Sequence, residues 1–161
     1  MRAAEVALAP TGAYSEDQAR RLADLGHLIR GAGVSLASVL PAPHAGPDVS
    51  AILTVTQWEH DSSTALRVDE LAAAHRRGNT AAAVEIVTLR TGPAVRAVQE
   101  HARTTECDHT ELVARGVTYI VPGHRGGLTI CVSTCHLAHW EFFARQATLV
   151  AETAYWKSLR L

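Results

Sequence analysis

The chain has 161 residues, of which 47% are hydrophobic and 19% charged, with a formal net charge of -1. Its mean hydropathy is +0.03, and these values exclude collagen-like, disordered and disulfide-scaffold proteins and predict a single domain over residues 1–161. Because 15 basic residues are balanced by 16 acidic ones, the chain has no summed positive field for a phosphate backbone, and we expect no nucleic-acid partner.

The N-terminal stretch MRAAEVALAPTG is too short for the core of a signal peptide, and it is interrupted by Glu5 and Pro10. No apolar run of about 18 residues, the length that a membrane-spanning helix needs, occurs anywhere. We therefore expect a cytoplasmic protein with no membrane partner. The odd number of cysteines, Cys107, Cys131 and Cys135, favours reduced thiols over a disulfide framework.

Residues 15–33 are predicted to form an amphipathic helix. Ser15 can cap the unpaired amides at its start, and Leu22, Leu25 and Ile29 recur at helical spacing. Two glycines, at positions 31 and 33, end this periodic run. The helix should therefore carry one apolar stripe.

Two strands and a second helix are predicted next. Segments 34–40 and 49–58 are rich in β-branched residues and flank the turn-rich loop PAPHAGPD, which predicts neighbouring antiparallel strands. The group DSST at 61–64 supplies a start signal for a helix near 65–77, and Gly78-Asn79 supplies its end.

The second half predicts two β-hairpins and a last helix. Thr91-Gly92-Pro93 separates strands at 82–90 and 94–102, and a glycine-rich turn separates strands at 111–121 and 127–134. Segment 136–156 is the strongest amphipathic helix, with Leu137, Trp140, Phe143, Ala147, Val150 and Ala154 on its apolar face.

This order of elements predicts an α+β fold in which an antiparallel sheet of about six strands is flanked by helices. The hairpin connections argue against a doubly wound parallel sheet and against the nucleotide crevice that such sheets provide. We therefore expect no cofactor.

The best candidate metal cluster joins Cys131, Cys135, His136 and His139, since thiolate and imidazole are ligands that zinc prefers. The two cysteines would lie about 13 Å apart along a regular strand, at roughly 3.3 Å per residue, which is too far for one ion. We expect no bound metal and keep Cys135, His136 and His139 as the weaker alternative. The alternative to a metal site is a purely structural role, in which the two cysteines are thiols on a strand and the two histidines are neutral imidazoles near a helix start.

No complete set of catalytic groups stands out, but three residues are candidates for the polar groups of a pocket. Arg96 would stabilise developing negative charge, His101 would act as general acid or base, and Tyr119 would donate a hydrogen bond. For Arg96, an ion pair with Glu85 across the first predicted hairpin is the commoner outcome. The tryptophans, Trp58, Trp140 and Trp156, could line such a pocket, although large aromatic side chains are first of all core material.

Three segments of the second half form one pattern: VEIVTLRTGPAVRA at 84–97, GVTYIVPGHRGGLTICVSTC at 116–135 and HWEFFARQATLVAETAYW at 139–156. The pattern resembles a group of small actinobacterial proteins that are similar to the Mog1/PsbP-like fold, also seen in LpqN-type mycobacterial lipoproteins. The resemblance implies an antiparallel sheet between helices and a binding or accessory role, and it transfers no catalytic residues. The lack of a signal peptide and lipidation cysteine argues against a cell-envelope role.

Two classes of function follow from the sequence. The first is a small binding or accessory protein that holds a protein or small-molecule partner, because no acid–base or metal set is assembled. The alternative is a cofactor-free enzyme, an isomerase or cyclase of actinobacterial secondary metabolism, whose apolar pocket would receive Arg96, His101 or Tyr119. Homo-oligomerisation through a β edge or the last helix can accompany either function.

Overall fold

A six-stranded antiparallel sheet organises the chain. The computed structural model describes residues 34–59, 66–104, 111–123 and 126–154, so the predicted helix at 15–33, as well as Cys107 and Trp156, lies outside the described residues. The strands are β1 (Val34–Pro41), β2 (Ser50–Glu59), β3 (Ala83–Leu89), β4 (Gly92–Thr104), β5 (Glu111–Gly123) and β6 (Gly126–Thr134). The helices are α1 (Val68–Gly78) and α2 (Trp140–Thr153), and short 3-10 turns occupy Pro43–Ala45 and Leu137–His139.

The strands lie in the order β1-β2-β6-β5-β4-β3, and every neighbouring pair is antiparallel. Four antiparallel pairs, β1-β2, β3-β4, β4-β5 and β5-β6, join strands that are adjacent in sequence. The β2-β6 pair instead joins strands that are far apart in the chain, with Leu53 opposite Val132. The predicted α+β class and six-stranded antiparallel sheet are confirmed.

The two faces of the sheet follow from its register, because residues directly opposite each other on neighbouring strands point to the same side. Tyr119 lies opposite Ile130 on β6 and opposite Arg96 on β4, on the face against which α2 packs. Thr118 lies opposite Cys131, and its side chain points to the other side. We call these the α2 face and the α1 face.

The core lies between α2 and the α2 face. Phe143, Ala147 and Ala151, spaced by four residues, are fully buried against Val117 and Ile130 of the sheet. The alanines let the helix approach the strands closely, and the apolar stripe predicted for this helix is confirmed from Trp140 onwards. The predicted start at 136 is wrong: Leu137 lies in the preceding 3-10 turn and is 42% exposed, because that turn takes it off the helical stripe.

Helix α1 packs on the opposite side of the sheet, over β3 and β4. It ends at Gly78, as predicted, and the Asn79 backbone N–H donates to the His75 carbonyl at 2.9 Å. Its first residue is Val68, three residues later than predicted, and its N-cap residue, Arg67, makes no capping hydrogen bond. Instead the Arg67 guanidinium donates two hydrogen bonds to Asp69, both 3.1 Å long.

Helix α1 also reaches the edge of the sheet. Strand β3 is one of the two edge strands, and an Arg76 Nη2 atom donates to the Val84 carbonyl at 3.0 Å. A charged side chain held against an edge strand is a common protection against pairing with other chains.

The first predicted hairpin differs in detail from expectation. Leu89 pairs with Gly92, so Arg90 and Thr91 form the turn and Pro93 lies inside β4. Gly92 has a φ of +122°, a conformation that glycine adopts most easily. The turn is also tied to α2, because the Arg90 backbone N–H donates to the Glu152 Oε2 atom at 2.7 Å.

Two glycines at the start of β6 make room for a tryptophan of β2. Trp58 lies directly opposite Gly127, and a Cβ atom on Gly127 would come within 2.1 Å of the Trp58 ring. A Cβ on Gly126, whose φ is +154°, would come within 2.0 Å of the Trp58 carbonyl oxygen. The position of the Trp58 ring therefore depends on both glycines.

Replacing Gly126 with alanine should strongly destabilise the fold. The added methyl group has no space beside the Trp58 backbone, and we expect a loss of more than about 2 kcal/mol in the free energy of unfolding. Gly116→Ala is the matched control, since a Cβ there meets its nearest atom at an ordinary 3.6 Å. Urea denaturation of both variants checks the prediction, and equal losses would contradict it.

Candidate functional site

A groove of about 600 Å³ lies on the α1 face between helix α1 and strands β2, β5 and β6. We call it the Trp58 groove. The residues that line it are Trp58, Leu71, Ala74, His75, Gly78, Asn79, Ile120 and Thr129. The groove is therefore built by segments from three separate parts of the sequence.

One wall of the groove is a single stripe of α1. Leu71, Ala74, His75 and Gly78 follow the i, i+3, i+4, i+7 spacing that places residues on one side of a helix. Ala74 and Gly78 carry little or no side chain, so this side of the helix leaves space above the sheet. Leu71 and His75 therefore face the groove from the same side of the helix.

The opposite side of the groove is formed by the Trp58 ring. Its Nε1 atom donates a hydrogen bond to the Thr129 Oγ1 atom at 3.1 Å. The ring lies against Gly127, the residue directly opposite on β6. The hydrogen bond and the close glycine fix the orientation of the indole, and its apolar surface is available to a ligand in the groove.

Two buried polar atoms on this side of the sheet have no hydrogen-bond partner within the described residues. They are Nε2 of His75 on α1 and Oε1 of Gln99 on β4. A buried polar atom without a partner typically costs about 1–3 kcal/mol. Unpaired polar atoms of this kind often belong to functional sites, where a ligand or water completes the hydrogen bonding.

The α1 face continues beyond the groove into a row of small polar side chains. Thr54, Cys131 and Thr118 lie opposite one another on β2, β6 and β5. Burial raises the pKa of the Cys131 thiol, and its hydrogen bond with Thr118 offsets only part of that shift. Cys131 is therefore protonated at neutral pH and is a weak nucleophile.

Two of the predicted catalytic candidates are neighbours on the α2 face. Arg96 donates a hydrogen bond to the Glu85 carboxylate at 2.6 Å, which confirms the ion pair expected across the β3-β4 hairpin. Burial opposes the charge of Arg96, but Glu85, together with Tyr119, holds the guanidinium pKa above its usual value. Arg96 is thus held in an ion pair at a partly exposed position.

Tyr119 connects this ion pair to α2. Its hydroxyl lies 2.8 Å from the Thr148 hydroxyl, which in turn donates to the Ala144 carbonyl at 3.0 Å. Because the Thr148 proton is directed to that carbonyl, Tyr119 is the donor in the bond between the two hydroxyls. Tyr119 is only 2% exposed, and its hydroxyl ties the helix to the sheet.

The third candidate, His101, lies elsewhere. It is exposed and is separated from Arg96 by five positions of β4, an odd number, so its side chain points to the α1 side. It also lies where β4 and β5 extend past β3 and β6 as a two-stranded ribbon. The structure brings Arg96 and Tyr119 together, separates His101 from them, and places none of the three in the Trp58 groove.

The weaker metal alternative falls at the junction of β6 and α2. Cys135 is exposed, and the His139 ring packs edge-on to His44, with the ring centroids 6.0 Å apart. The His44 ring also contacts Phe142, with centroids 4.6 Å apart. Among the residues that the structure describes, no three His, Cys, Asp or Glu side chains are grouped to hold a metal ion, and this includes Cys135, His136 and His139.

Comparison with known proteins gives no relative: no family model, no curated protein and no solved structure matches this chain. In the described part of the chain, neither helix has the length and apolar character needed to cross a membrane. The groove and its chemistry are therefore the basis for any statement about function.

Tyr119→Phe should destabilise the protein by about 1 kcal/mol, because the Thr148 hydroxyl loses a buried partner. The double variant with Thr148→Ala should lose less than the sum of the two single losses, since both changes remove the same hydrogen bond. Thermal denaturation measures both effects, and strictly additive losses would contradict the proposed hydrogen bond.

Proposed function

We propose that the protein is a small binding protein that holds a ligand in the Trp58 groove. The observation that supports this most directly is an open groove of about 600 Å³ with an oriented indole on one side and a helix with little side-chain volume on the other. This volume is typical of sites for small molecules. No acid–base set is assembled among the described residues that line the groove, which favours binding over catalysis.

The lining indicates the chemistry of the ligand. Trp58, Leu71 and Ile120 provide apolar surface, and none of the described lining residues carries a carboxylate, ammonium or guanidinium group. A charged ligand would lose hydration here without gaining an opposite charge. We therefore propose a neutral, largely apolar ligand with a ring that packs against Trp58 and a polar group that reaches Thr129.

The alternative of a cofactor-free enzyme receives no comparable support. That hypothesis placed Arg96, His101 or Tyr119 in an apolar pocket. In the described structure Arg96 is paired with Glu85, Tyr119 is bonded to Thr148, and His101 lies away from the groove. The binding role is accordingly the one that the geometry favours.

Filling the groove tests the proposal. Ala74→Trp places an indole between α1 and Trp58, and we expect it to weaken binding of the neutral dye N-phenyl-1-naphthylamine at least about tenfold by occupying the same volume. Dye fluorescence titrations measure the dissociation constant. Trp58→Ala should also weaken binding, by about tenfold, because the stacking surface is lost.

Ala81→Trp is the matched control, because Ala81 is exposed in the turn after α1 and does not line the groove. It should bind the dye within about twofold of the parent protein. Circular dichroism verifies that each variant is folded. Equal dye affinities for the Ala74→Trp and Ala81→Trp proteins would overturn the proposed site.

A further inference from the structure

A large part of the α1 face lies beyond α1 and carries no charged side chain. We call it the open half-face: it is the β1, β2 and β6 part of the α1 face. Its residues are Ala37, Val39, Ile52, Thr54, Thr56, Thr129, Cys131 and Ser133. Helix α1 makes its main contacts with β3 and β4, on the other half.

The lack of charge is unusual for a sheet surface that faces water, where polar and charged residues normally alternate with the apolar ones. The α2 face shows the expected contrast. Beside α2, it carries the exposed or partly exposed ion pairs Glu85 with Arg96 and Glu100 with Arg115. The open half-face has the composition of a surface that is covered.

Part of the open half-face is buried, although Ile52 there is 38% exposed. Ala37 belongs to β1, an edge strand, yet its side chain is only 5% exposed. It is not a member of the hydrophobic core, which lies on the other face. The raised pKa of Cys131 also reflects burial at the centre of this half-face.

We propose that the segment 15–33 docks on the open half-face as an amphipathic helix, with Leu22, Leu25 and Ile29 against the sheet. The sequence assigns this segment one apolar stripe. A stripe of leucine and isoleucine needs a surface without charge to cover it, and the open half-face is uncharged and carries the apolar residues Ala37, Val39 and Ile52.

The chain path and the dimensions agree with this docking. Residue 33 is joined to Val34, which lies opposite Thr56 near the Trp58 end of β2. A helix over 15–31 is about 25 Å long and about 10 Å wide, whereas three neighbouring strands span about 10 Å between the outer two and β2 is about 33 Å long. The two or three residues left as a connection match the short links common between helices and strands.

The docking itself depends only on the open half-face and does not require the proposed ligand. The experiment is therefore carried out without any ligand or dye, so that its failure leaves the groove proposal to be decided by the Ala74→Trp titration.

The reactivity of Cys131 reports the docking. In a Cys107→Ser, Cys135→Ser protein, Cys131 is the only thiol, and its alkylation by iodoacetamide can be followed by intact mass. Leu25→Glu should accelerate alkylation at least about tenfold, because a charge in the apolar stripe displaces the helix. His27→Glu, on the opposite side of the predicted helix, is the matched control and should change the rate by less than about twofold.

Cross-linking provides a second measurement that does not require displacing the helix. With all native cysteines replaced by serine, Leu25→Cys and Thr54→Cys should be joined within one molecule by a short bismaleimide, whereas His27→Cys and Thr54→Cys should not. Equal alkylation rates in the Leu25→Glu and His27→Glu proteins, with no intramolecular cross-link, would overturn the proposal. Cross-links found only between molecules would overturn it in favour of a second copy as the occupant.

Discussion

The pairing of β2 with β6 is the interaction on which the rest of the structure depends. All other strand pairs in the described sheet can form from segments close in sequence, but β2 and β6 are separated by α1 and by three strands, β3, β4 and β5. Closing so long a loop costs conformational entropy before any contact offsets it. Side-chain contacts among the described residues stabilise this strand pair on both faces of the sheet.

Trp58 and Thr134 mark the two ends of that pair. The Trp58 indole lies over Gly127 and bonds to Thr129, while the buried Thr134 hydroxyl donates to the Ser50 carbonyl at 2.8 Å. A slip of one residue would break both arrangements and turn every β2 side chain to the wrong face. The same tryptophan thus sets the register of the sheet and forms one side of the groove, so folding and the candidate site share a residue.

Much of the fold could be predicted from local sequence signals, and the errors of that prediction have local causes. Runs of β-branched residues located β1 and β2, because such residues fit the pleated surface, and turn signals located the four strands of the second half. The last helix was evident from its periodicity. The start of α1 was placed too early, since Arg67 and Asp69 act at this helix start without a capping hydrogen bond in the described chain. The strand order could not be predicted, because the distant β2-β6 pair leaves no signal in a short window of sequence.

The candidate site was less accessible to sequence reasoning. The Trp58 groove joins α1, β2, β5 and β6, which only tertiary packing brings together, and His75 has the same periodicity as a core residue. One signal was present: Arg96 and His101 are five positions apart on a predicted strand, and an odd separation already sends their side chains to opposite faces. A second signal was the lack of charge at the β2 positions that point to the α1 face. A strand that is uncharged on both faces is normally covered on both faces.

The hydrogen bond from Arg76 to the Val84 carbonyl has a consequence for assembly. A filament in which the sheet of each molecule pairs with the sheet of the next requires two free strand edges on every molecule. Arg76 occupies an acceptor on β3, and breaking that bond adds to the cost of joining there. Association through the β3 edge is thereby disfavoured, which opposes the growth of such an assembly from that side.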